Sequence, residues 1–145
     1  MKIIHIITAA VIASSGCASD GIRTLASLET RVSETASKLD ANKDPRAALK
    51  GLSGKSKGYF YLLNSNGRIE YHPVKGLLGS DFSRYGFVKN IIKIKKGCIR
   101  SDAGNISRIV IFRETAGGGI LCYTIPENEV TGTERCKTFR KEEAE

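Results

Sequence analysis

Tryptophan is absent from this 145-residue chain, methionine occurs once and histidine twice, and aromatic residues make up 7%. His5 sits in an apolar N-terminal run, so His72 is the one histidine downstream of it, which leaves little room for general acid–base work. None of the four cysteines stands at C-x-x-C spacing, so neither a zinc site nor a thioredoxin-type redox pair is expected. There is no nucleophile elbow and no H-E-x-x-H. Glu70, Asp81, Asp102 and Glu114 show no paired arrangement, so no enzyme activity, metal or cofactor is expected. Gly51-Leu52-Ser53-Gly54-Lys55-Ser56 matches only the end of a phosphate-binding loop, because Leu49 stands where the pattern's first glycine belongs. Long apolar runs are missing too. Ile3 to Ala13 spans 11 residues, whereas a membrane-spanning helix needs about 20, which excludes a polytopic membrane protein.

What is present is one domain's worth of chain, 41% hydrophobic, with 23 Lys and Arg against 15 Asp and Glu and a net charge of +8. A basic balance invites a nucleic-acid partner, but the N-terminus argues otherwise. Lys2 is a short basic region, Ile3 to Ala13 an apolar one, and Ser14-Ser15-Gly16-Cys17 a run of small residues ending in cysteine. That is the layout of a secretory signal. Its ending resembles the lipobox of bacterial lipoproteins, with Ser14 where leucine is usual, and implies lipidation of Cys17. The other reading is an ordinary signal with a chance cysteine. Ala18 and Ser19 after Cys17 lean toward the outer membrane. Export leaves no polynucleotide partner. The basic residues then face solvent, anionic headgroups or an anionic ligand. In an oxidising compartment two of Cys98, Cys122 and Cys136 can pair, leaving one free, and the sequence does not choose among the pairings.

Downstream, Ile22, Leu25, Leu28, Val32, Ala36 and Leu39 form one apolar stripe, which predicts a helix from Ala18 to about Asp40 capped by Asp20. It packs on a core or forms a short coiled-coil seam. Asp44-Pro45 opens a second short helix through Leu49. From Gly58 the texture becomes strands and turns. Tyr59–Leu63 is an apolar strand, Asn66-Gly67 a hairpin signal, and Arg68–His72 the return strand, stopped by Pro73. A loop leads to a helix over Phe87–Lys95 closed by Gly97. Cys98–Asp102, Ile106–Glu114 and Ile120–Ile125 are three further strands. Short connections make the sheet antiparallel, and the tail beyond Cys136 reads as loose.

These segments, in order, resemble a single Cache domain, the extracellular relative of the PAS fold. GYFYLLNSNGRIEYHP resembles its first hairpin, KGLLGSDFSRYGFVKNI its loop and helix, and ISRIVIFRETAGGGILCYTIPENEV its closing strands. Gly118 and Gly119 stand where the family often has tryptophan, and its amino-acid-binding motif is not recognisable. The resemblance implies an α+β, PAS-like fold: a five-stranded antiparallel sheet, a long N-terminal helix on one face and a loop–helix insertion over the other. The expected division is a leader over 1–16, helix and connector over 17–57, the Cache-like unit over 58–130 and a charged tail over 131–145.

By the same resemblance a small ligand sits between sheet and insertion, walled by Tyr61, Tyr71, His72, Arg84, Tyr85, Phe87, Arg100 and Tyr123. An arginine there selects a carboxylate. Each has a plainer reading as core, loop closure or solvated surface, and Lys89, Lys93, Lys95 and Lys96 read as a solvated face. The expected function is a lipid-anchored envelope domain that binds a small, anionic molecule and signals through a partner protein, since no output module follows. The rival is an envelope interaction protein with a filled cavity. The volume beneath Phe87 separates the two.

Overall fold

The computed structural model describes residues 23–52, 57–103 and 105–139. The leader, Cys17, Asp20 as a cap and the Gly54-Lys55-Ser56 segment lie outside them. Arg23–Thr24 (β1) is extended and leads into helix α1, Leu25–Asp40. The cap is Thr24, whose Oγ1 accepts the Ser27 N–H at 3.2 Å. Helix geometry puts Leu25, Leu28, Val32, Ala36 and Leu39 on one buried face, the stripe read from the sequence without Ile22. Asp44 caps α2 (Pro45–Lys50) by accepting the amide N–H groups of Arg46 and Ala47.

The strands are β2 (Tyr59–Leu63), β3 (Ile69–Tyr71), β4 (Lys96–Ala103), β5 (Ile106–Glu114), β6 (Ile120–Pro126), β7 (Val130–Thr131) and β8 (Lys137–Phe139), with helix α3 (Gly86–Ile94) between β3 and β4. One sheet runs β3-β2-β6-β5-β4-β8, and β1 pairs with β7 in a separate parallel ladder. The first five strands of that sheet are antiparallel to their neighbours and match the expected five-stranded sheet. Asn64 fixes the β2–β3 turn: its Oδ1 accepts the N–H groups of Asn66 and Arg68, and Gly67 takes φ +85°.

Two expectations give way here. The tail is not loose after Cys136: Lys137–Phe139 lies parallel to Ile99–Ser101 as a sixth strand. A Cys98–Cys136 disulfide, with Cα atoms 5.0 Å apart, delivers it there, and Arg100 donates to Thr138 Oγ1. Among the three pairings left open this is the one formed, and Cys122 is the buried free thiol. Helix α3 ends at Lys95 rather than Gly97. Lys95 takes the left-handed conformation (φ 69°) and returns its N–H to the Ile91 carbonyl at 2.8 Å, while Gly97 belongs to β4. An ion pair from Lys95 to Glu114 at 3.0 Å accompanies this non-glycine cap.

Strand alternation divides the interior in two. Phe60, Leu62, Ile109, Ile111, Leu121, Tyr123 and Ile125 face α1. Leu63, Val110, Phe112, Ile120 and Cys122 face the α3 insertion with Val88 and Ile91. Replacing both Cys98 and Cys136 by serine should lower the unfolding free energy by about 2–4 kcal/mol, since the bridge closes a 38-residue separation. Urea titration measures the loss, and amide exchange should rise first in β8.

Candidate ligand-binding site

The insertion side of the sheet gathers Tyr59, Tyr61 and His72 of the first hairpin. Alternation along β2 sends Tyr59 and Tyr61 to this face. His72, just past β3, closes against both, with ring centroids 5.2 and 5.7 Å away. Its ring is buried, 8% exposed. The Val74 N–H donates to Nδ1 at 3.0 Å, so the neutral ring carries its proton on Nε2. Burial holds its pKa below the ordinary imidazole value. Deeper, Tyr61 lies beside the Cys122 thiol, which donates to the Ile120 carbonyl at 3.9 Å. Burial raises the pKa of both side chains, Cys122 to about 12, which makes that thiol a poor nucleophile.

The eight expected wall residues do not converge. Tyr61, His72 and Phe87 share the insertion side. Tyr85, 40% exposed, sits at the start of α3 with its ring against Phe82 and Phe87, and exposed Arg84 lies over it at 5.5 Å. Tyr71 and Tyr123 pack on the α1 side. The period-two alternation that sets Tyr123 opposite Tyr61 across the sheet removes it from beneath the insertion. Arg100 also leaves the expected site. Its Nε donates to Glu127 Oε1 at 2.7 Å and its other nitrogens to Thr133 and Thr138. Ser107 donates to the same carboxylate at 2.6 Å, and this bond with the Arg100 contact holds Glu127 below its usual pKa. Arg100 therefore ties down the chain's end. Two members of the cluster were missed. Tyr59 follows from being two residues from Tyr61 on one strand, and Cys122 from its place in the fifth strand. The space beneath Phe87 holds Val88, Ile91 and Ile99, each 1% exposed or less.

The sequence matches no family model and no curated protein. Solved structures do resemble it. A methyl-accepting chemotaxis protein from Vibrio parahaemolyticus superposes with a TM-score of 0.55 at 14% identity, over 72% of this chain and 86% of that one. The two chains share a fold over most of their length. At such identity the likeness is one of fold. The ligand-binding domain of Mlp24 with asparagine gives a TM-score of 0.42 at 18% identity, over 66% of this chain and 35% of that one. An extracellular ligand-binding receptor from Desulfohalobium retbaense gives 0.43 at 10% identity, over 55% of this chain and 14% of that one. The insertion, from Pro73 to Ile94, covers the face of the sheet that carries His72.

His72 has its folded-state pKa lowered, so the unfolded chain binds the proton more readily. Stability should be full above pH 6.5 or so and fall as pH drops below it. His72→Gln should flatten the unfolding free energy between pH 7 and 5.5, read by denaturant titration. On the opposite face Tyr123 Oη is buried without a hydrogen-bond partner, and a Cβ on Gly58 would lie 2.3 Å from it. Tyr123→Phe should therefore be neutral or stabilising by about 1 kcal/mol. Gly58→Ala should cost about 1–3 kcal/mol. Thermal denaturation checks both signs.

Proposed function

We propose that this chain is an extracytoplasmic sensor domain, tethered to the cell envelope through a lipid on Cys17, that binds a small molecule and passes the signal to a partner protein. The observation that carries the reading is a fold, one sheet with a helix on one face and a separate insertion on the other, that superposes on 86% of a methyl-accepting chemotaxis protein chain. The Ser-Ser-Gly-Cys ending of the apolar leader supports the tether. The residues from Pro73 to Ile94 attach to the sheet through the β3 edge and α3; in the proposed mechanism ligand binding shifts them and so moves the population a partner reads. His72 and Tyr59 lie at that boundary. No helix among the described residues is long and apolar enough to cross a membrane, which suits a lipid tether.

A second reading rests on the closely packed side chains under α3. An interaction protein that keeps the fold but takes no ligand beneath the insertion has the same filled core. Thermal shift against carboxylates, amino acids and purines separates the two. A ligand at 100 times its Kd should add about 2.7 kcal/mol, and a flat response across the panel favours the interaction protein. Cys17→Ala should release the protein from the membrane fraction into the soluble one. Persistence in the membrane fraction would remove the tether from the proposal.

A further inference from the structure

Helix α1 does not cover its face of the sheet out to β4. Between the helix and the start of β4 lies a cleft of about 550 Å³ floored by Val32 and Ile111, within the size range of small-molecule sites. Antiparallel pairing sets Lys96 directly opposite Arg113, and both side chains line this cleft. Like charges directly opposed across two strands repel. Nearby, Lys95 has Glu114 and Arg100 has Glu127, whereas Arg108 on β5 has no carboxylate within ion-pair distance among the described residues. Among the described residues, neither Lys96 nor Arg113 has a carboxylate within ion-pair distance. Arg113, half-buried, spends one N–H on the Ser33 hydroxyl at 2.6 Å and is thereby held toward the helix. Glu29, on the same wall, is engaged by Arg135 in an ion pair that bridges α1 and the β7–β8 loop. Glu34 is exposed at the rim.

We propose that this cleft is a binding site for a small organic carboxylate with a compact apolar body. The carboxylate lies between the Arg113 guanidinium and the Lys96 ammonium, offsetting their repulsion, and the body fills the cleft between α1 and β4. A planar guanidinium with free N–H groups recognises a carboxylate better than a neutral amide of the same shape. The site is on the opposite side of the sheet from His72, and it stands whether or not a ligand enters beneath the insertion.

Benzoate is the probe and benzamide its uncharged isostere, titrated calorimetrically at low salt into the full chain held in detergent. Benzoate should bind at least tenfold more tightly than benzamide. The K96Q/R113Q double variant should weaken benzoate tenfold or more while leaving the ligand-free melting temperature unchanged or higher, because the opposed charges are gone. Should the double variant fail to fold, K96Q alone, which keeps the Arg113–Ser33 bond, should lose affinity and gain ligand-free stability. The proposal is overturned by equal binding of benzamide, by benzoate affinity that survives the substitutions, or by no benzoate binding at all. Affinity that drops instead with His72→Gln moves the carboxylate beneath the insertion. That result overturns the cleft and leaves the sensor reading standing.

Discussion

The structure depends on a sheet that is dry on both sides. Every residue of β6 from Ile120 to Ile125 is buried, so neither face of the central strands can be left to water. An antiparallel sheet ordinarily wets one face. Here each face must have its own cover, and the chain supplies two of different kinds. A regular amphipathic helix covers one, and an irregular stretch ending in α3 covers the other. A polar residue on β5 or β6 would need a buried partner on either side, and Thr124 is the polar residue buried within β6. Each buried aliphatic side chain contributes about 1.5–3 kcal/mol, so both covers are held by burial rather than by ion pairs, which lie at the rims.

The two covers differ in what they leave over. The insertion brings large apolar side chains into full contact with the sheet, so its chemistry is confined to the boundary where His72 meets Tyr59 and Tyr61. The helix is narrower than the sheet, which extends past it. The surplus face at the start of β4 is where Lys96 and Arg113 face each other with no carboxylate of the described residues within ion-pair distance of either. The fold thus places its packed surface on the side where a ligand was expected and its open surface on the other.

How much of this was legible follows from the range of each signal. The α1 stripe, the Asn64–Gly67 turn and the five strands rest on local periodicity and turn chemistry, and they were readable. The side on which Tyr123 falls was also local, a matter of counting alternation from one paired strand to the next. Grouping it with Tyr61 followed the family's outline instead of the pleat. β8 was not legible, because Lys137–Phe139 is short and charged at its start. It becomes a strand through a disulfide and through Arg100, both set by contacts more than thirty residues away in sequence. Arg100 reads as a ligand-binding candidate in isolation. Its partners Glu127, Thr133 and Thr138 come from a segment whose position no local pattern encodes. The Lys95 cap was hidden by Gly97, the better glycine signal nearby.

Both ends of the described chain are woven into the structure, β1 against β7 and β8 against β4. Each end is therefore held by a partner far from it in sequence. Breaking the Cys98–Cys136 bridge would free β8 and leave the β4 edge unpaired, and such an edge attracts other chains.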